Sequence, residues 1–132
     1  MAWDIRVTAE EVALLMEAGL IYRYSGKFDE ARDTFKGVRV LRPDSEIPEI
    51  ALGTVSFAEG HFKEAIDLYQ KAIQMNPRSA YAYAHLGEAE AFMKDQNSAR
   101  RSLNKALELD PRGQYGSLAR GLLALLDLPE FS

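Results

Sequence analysis

At 132 residues, 47% of them apolar and 27% charged, the chain has the size of one domain or one short repeat array and the composition of a folded globular protein. A formal net charge of −4 and the lack of cysteine argue against a basic surface for nucleic acid or anionic lipid and exclude disulfide or thiolate chemistry. No apolar run approaches the roughly 20 residues of a membrane span, and "MAWDIRVTAEEV" has no apolar signal core, so the expected location is cytoplasmic.

In chain order, residues 1–11 read as an N-terminal arm carrying Trp3 and Ile5. Thr8, with Glu11 three residues on, reads as a capping box opening a helix. Gly26 predicts that helix's stop, since glycine takes the left-handed position after a helix cheaply. A second helix in "GKFDEARDTFKGVRVLRP" ends before Pro43. Ser45 is the expected cap of the next helix, which stops at Gly60. In "GHFKEAIDLYQKAIQMNP", Phe62, Ala65, Ile66, Tyr69, Ala72 and Ile73 follow the spacing of an amphipathic helix, stopped by Pro77. Ser79 opens a third unit. Its second helix lies in "KDQNSARRSLNKALELDP", where Lys94 and Gln96 replace the turn glycine and the aromatic, which puts the start of that helix in question. "QYGSLARGLLALL" predicts one more helix.

These elements repeat with a period of 34 residues. Pro43, Pro77 and Pro111 fall in step, as do Gly19, Gly53, Gly87 and Gly121. So do Ala31, Ala65 and Ala99, then Phe35, Tyr69 and Leu103, then Val38, Ala72 and Ala106. A fixed period of this length is the signature of a solenoid, whose units bury their apolar faces only by stacking. A glycine inside a helix costs about 1 kcal/mol against alanine. Its recurrence at one phase predicts close helix–helix approach.

On Gly19, Tyr22, Phe28, Ala31, Phe35 and Pro43, on Leu52, Gly53, Phe62, Ala65, Tyr69, Ala72 and Pro77, and on Leu86, Gly87, Ala99, Ala106 and Pro111, the chain resembles the tetratricopeptide repeat (TPR) family. The resemblance implies an all-α fold: a TPR superhelical solenoid of three helix-turn-helix repeats plus a C-terminal cap helix. The repeats would occupy residues 12–113, as 12–45, 46–79 and 80–113, with a cap helix and tail over 114–132.

Catalytic chemistry finds no support in the residues. His61 and His85 share no metal-binding spacing, and the carboxylates fall at solvent or helix-start positions. The sequence has no phosphate-binding or nucleophile-elbow motif, and Arg100-Arg101 reads as a solvated pair. The chain is therefore expected to be no enzyme and to hold neither metal nor cofactor.

In the family, the first helix of each pair lines a concave groove. The resemblance places there Ala13, Met16, Leu20, Arg23 and Tyr24, then Ile47, Ile50, Thr54, Phe57 and Ala58, then Tyr81, Ala84, Glu88, Ala91 and Phe92. The cap helix adds Tyr115, Leu118, Leu122, Leu125 and Leu126, some of which must seal the core. The family's carboxylate clamp for chaperone C-termini is missing, because its positions hold Met16, Leu20, Ala51, Tyr81 and His85. The expected function is binding of an apolar peptide or helical protein segment through Met16, Leu20, Tyr24, Ile47, Ile50, Phe57, Tyr81 and Phe92, with Phe57 and Tyr81 central. No nucleic acid or membrane partner is expected. More distantly, the chain is similar to small TPR chaperones of bacterial type III secretion. The alternatives are a structural adaptor or assembly scaffold, and homo-oligomerisation through the same patches. Coverage of the groove by the N-terminal arm is a further alternative.

Overall fold

The computed structural model describes residues 7–131, so Trp3 and Ile5 lie outside the described residues. Seven α-helices follow one another: α1 (Ala9–Tyr24), α2 (Phe28–Leu41), α3 (Ile47–Ala58), α4 (Phe62–Met75), α5 (Ala80–Phe92), α6 (Gln96–Leu109) and α7 (Gln114–Leu126), with a short 3₁₀ turn at Pro129–Phe131. Among the described residues there is no strand. The fold is an all-α TPR solenoid: α1/α2, α3/α4 and α5/α6 form antiparallel pairs, and α7 packs against both α5 and α6 as the cap helix.

The turns follow one backbone rule. Gly26 and Gly60 have φ of 76° and 82°, in the left-handed region. Each is flanked by the same two bonds: Gly26 N–H donates to Arg23 O and Lys27 N–H to Tyr22 O, and Gly60 N–H donates to Phe57 O and His61 N–H to Ser56 O. This is the Schellman ending, which satisfies the last carbonyls of the first helix. Lys94 keeps the same conformation without glycine, at φ 64°, with Lys94 N–H on Ala91 O and Asp95 N–H on Glu90 O. The start of α6, in question from the sequence, is secured by Asp95, whose carboxylate accepts the Ser98 amide. The Ser98 hydroxyl first, and then that amide bond, lower the Asp95 pKa. The corresponding Lys27 and His61 make no side-chain cap.

Thr8 and Ser79 cap α1 and α5 as expected, accepting from Glu11 and Ala82 amides at 3.1 Å. Ser45 differs by one residue. Helix α3 is bounded at Glu46, and Ser45 Oγ accepts the Ile47 amide at 3.2 Å. Pro48, the next residue, has no amide hydrogen to offer.

The phased glycines mark close contacts within each pair. A Cβ at Gly19 would lie 2.3 Å from Phe35 Cε1, one at Gly53 2.4 Å from Tyr69 Cε1, and one at Gly87 2.6 Å from Leu103 Cγ. The small residue of the first helix thus receives the large residue of the second. Gly121, in phase with them, faces open space. Ala31, Ala65 and Ala99 are fully buried. The core runs as three apolar clusters, one at each junction, centred on Phe35 with Val55, on Ile50 with Tyr69, and on Leu103 with Ala119 and Leu126.

Among the described residues one charge lies inside. Glu49 is buried, with Oε1 3.3 Å from Lys71 Nζ and Oε2 3.6 Å from Arg39 Nη1. Arg100 is tied to the end of α7 through Asp127 at 2.8 Å and the Leu126 carbonyl at 3.0 Å, so it is committed to structure.

Candidate functional site

Helix α3 packs on α5 and α5 on α7, so the first helices of the pairs and the cap helix make the inner row of the stack. The residues expected on this face divide into three groups. Met16 and Ile47 meet at one end, where they line a cavity of about 250 Å³ with Val12, Val38 and Pro48. Leu20 packs, partly buried, against the Phe35 cluster.

At the turn edge, Phe57 and Phe92 come together with Phe62 of α4. Ring centroids stand 5.1 Å apart for Phe57–Phe62, 5.1 Å for Phe57–Phe92 and 5.3 Å for Phe62–Phe92. Phe92 is 58% exposed, and Tyr24, at the matching position of α1, is 81% exposed beneath the Arg23 guanidinium. Phe92 also borders an apolar cavity of about 340 Å³ with Ala91, Leu122, Leu125, Leu126 and Phe131.

Tyr81 lies apart from the phenylalanines. It stacks on Tyr115 of α7 at 4.8 Å and 19°, and meets His85 edge-on at 5.1 Å. Burial, then the neighbouring Tyr115, pushes the Tyr81 phenol up to about 12.

Ile50 requires a correction. It is fully enclosed in the core between α3, α4 and α5 and offers nothing to a partner. Ala84, in phase with it, is fully buried too. This column faces the next helix pair, because close stacking rotates the first helices toward their successors. Phe62 and Phe131 were not expected at the groove. The one sequence signal for Phe62 is Phe57, five residues earlier across a tight turn.

Between these groups lies a notch of about 170 Å³ lined by Arg23, Thr54, Phe57, Ala58, Tyr69, His85 and Glu88. Arg23 Nη1 donates to the Thr54 hydroxyl, which donates to the Ala51 carbonyl at 2.6 Å. His85 Nδ1 stands 3.4 Å from Glu88 Oε1. Among the described residues the buried Tyr69 hydroxyl has no hydrogen-bond partner, and burial, with Glu88 next, raises its pKa.

Among the described residues, no group of three or more His, Cys, Asp or Glu could hold a metal, and no helix is long and apolar enough to cross a membrane.

Comparison with known proteins places these features. The chain is 30% identical over 99 residues to BBSome complex member BBS4 of Xenopus tropicalis, covering 75% of this chain and 19% of that protein. It spans 11%, 19% and 15% of the length of three curated relatives that it matches. The type III secretion translocator chaperone SycD of Yersinia enterocolitica superposes with a TM-score of 0.78 at 21% identity, over 91% of this chain and 90% of SycD. PcrH in complex with the chaperone binding region of PopB superposes at 0.75 and 20% identity, over 91% and 98%. At such identities the likeness is one of fold. A TPR repeat matches residues 53–91, and tetratricopeptide repeats match 80–112 and 13–45. With the glycine–large-residue pairs and left-handed turns at the family's period, the chain belongs to the tetratricopeptide repeat family.

Proposed function

We propose that the chain is a non-enzymatic protein-interaction module that binds an apolar extended or helical segment of a partner protein along its inner face, in the cytoplasm. The observation that carries this reading is the exposure of large aromatics on that face: Tyr24 at 81% and Phe92 at 58%, the latter beside an apolar cavity of about 340 Å³. Aromatic anchors at the rim of an apolar pocket are the usual energetic centres of protein interfaces. The binding residues are Met16, Leu20, Tyr24, Ile47, Phe57, Tyr81 and Phe92, without Ile50. The finer role is that of a chaperone of the type III secretion kind, holding an apolar segment of its client. It is supported by the fold likeness to SycD and to PcrH, whose structure holds a region of PopB.

Site-specific photo-crosslinking tests this reading. A photoreactive side chain at position 24 or 92 should capture one partner segment in cells, and one at position 40, exposed on α2, should not. Capture at position 40 alone would overturn it, and capture of a second copy would assign the face to self-association. An adaptor is the second reading, favoured by the similarity to a named complex member, BBS4. A chaperone's client is insoluble alone and soluble on co-expression, whereas an adaptor's partners are each soluble alone.

A further inference from the structure

The notch at the centre of the inner face carries an inference that rests on the groove reading and makes it more specific. In the column that receives the phased glycines, the three residues are Phe35, Tyr69 and Leu103, all fully buried. Phe and Leu fill that space with no polar atom. Only the second unit carries a hydroxyl there, and it is enclosed without a partner. Burying an unpaired hydroxyl works against folding, so packing does not account for it.

The charges around the hydroxyl are of opposite sign: Glu88 pushes the Tyr69 pKa up and Arg23 pulls it down. The two charged groups make no ion pair with each other among the described residues. Among the described residues Arg23 has no carboxylate partner and gives one N–H to Thr54, and Glu88 meets only His85, at 3.4 Å. One wall of the notch therefore offers spare donors and another a spare acceptor, with a hydroxyl between that serves as either. A carboxylate would satisfy Arg23 but face Glu88, and an ammonium would do the reverse. A group with one acceptor and one donor and no charge satisfies both. The volume of about 170 Å³ admits several non-hydrogen atoms, at about 30 Å³ for a water in the liquid. We infer that the notch formed by Arg23, Tyr69, His85 and Glu88 is a subsite for an amide group of the bound segment, from an Asn or Gln side chain or from a peptide bond.

Two measurements test it on the full chain. In NMR titrations, propionamide should perturb the Arg23 and His85 side-chain signals and bind about five-fold more tightly than propionate or propylammonium, the ratio expected of about one net hydrogen bond. Tyr69→Phe, which copies the first unit's Phe35, should stay folded and lose that preference. Equal or tighter binding of either ion, or a preference unchanged in Tyr69→Phe, overturns the subsite. Random peptides displayed on phage then separate the sources. Selection of Asn or Gln at one fixed place between apolar residues assigns the side chain, and apolar residues fixed at a constant spacing with no Asn or Gln assign the peptide bond. An acidic or basic residue selected there overturns the inference. If propionamide is preferred but no peptide is selected, the groove reading falls and the notch's amide preference stands.

Discussion

A Cβ on Gly53 would stand 2.4 Å from Cε1 of Tyr69, and Gly87 repeats the relation with Leu103 at 2.6 Å. The receiving side chains are fully buried, so neither can swing aside. Gly53→Ala and Gly87→Ala should each lower stability by about 1–3 kcal/mol through overpacking, against the normal helix preference for alanine. Gly121 holds the same phase in α7 with open space around it, and Gly121→Ala should raise stability by up to about 1 kcal/mol. Denaturant unfolding of the three variants checks the signs. Matching signs would refute the pairing of glycine with the following helix.

Lys94 holds a left-handed turn that Gly26 and Gly60 hold in the other units. A residue with a Cβ pays about 1–2 kcal/mol for that conformation. Lys94→Gly should therefore raise the midpoint of thermal unfolding, offset in part by the extra freedom of glycine in the unfolded chain. Melts followed by circular dichroism measure it. A lower midpoint would mean that Lys94 contributes something the turn geometry omits.

Glu49 is 3% exposed at its side chain, while its partners Arg39 and Lys71 are 37% and 56% exposed. Removing the buried member leaves two hydrated cations, so Glu49→Met should change stability by less than about 1.5 kcal/mol in either direction. Removing both cations strands a buried carboxylate, and Arg39→Met with Lys71→Met should cost about 3–5 kcal/mol. Urea unfolding of both variants decides the order, which reverses if the ion pair itself holds α3 in place.

The Tyr81 phenol is raised from 10.0 to about 12 by burial, and Tyr69 is raised by the same cause. A raised phenol contributes its full stability below the unfolded value and loses it as pH climbs through the folded one. The solenoid should hold its helicity to about pH 10 and lose stability between about 10 and 12. Tyr69→Phe with Tyr81→Phe should shift that loss to higher pH. Helicity and tyrosinate absorbance followed together would show it, and an unshifted profile would place the alkaline transition elsewhere.

How much was legible in the sequence varies by column. Pro43, Pro77 and Pro111 mark the ends of second helices because proline denies the chain an amide wherever it stands. Gly26 and Gly60 mark turns because only a left-handed residue closes a helix that way. Such rules act within a few residues, so the linear pattern carries them. The clamp's absence was legible in the same way, from the residue types alone.

The candidate site was legible only in part. The sequence points to Phe57 and Phe92, but not to their contact with each other and with Phe62. Ile50 was named and is core. Tyr69 falls on the apolar face of an amphipathic helix, and nothing in its spacing marks an enclosed hydroxyl in a notch with Arg23 and Glu88. By itself the sequence determined the repeat, the helix limits and the all-α solenoid, because capping and period are local or recur along the chain. The tertiary structure alone decided which apolar residues face outward and which charges meet at the notch. Those depend on the rotation of each helix against its successor, which is set by how deeply Phe35, Tyr69 and Leu103 sink into the glycines before them.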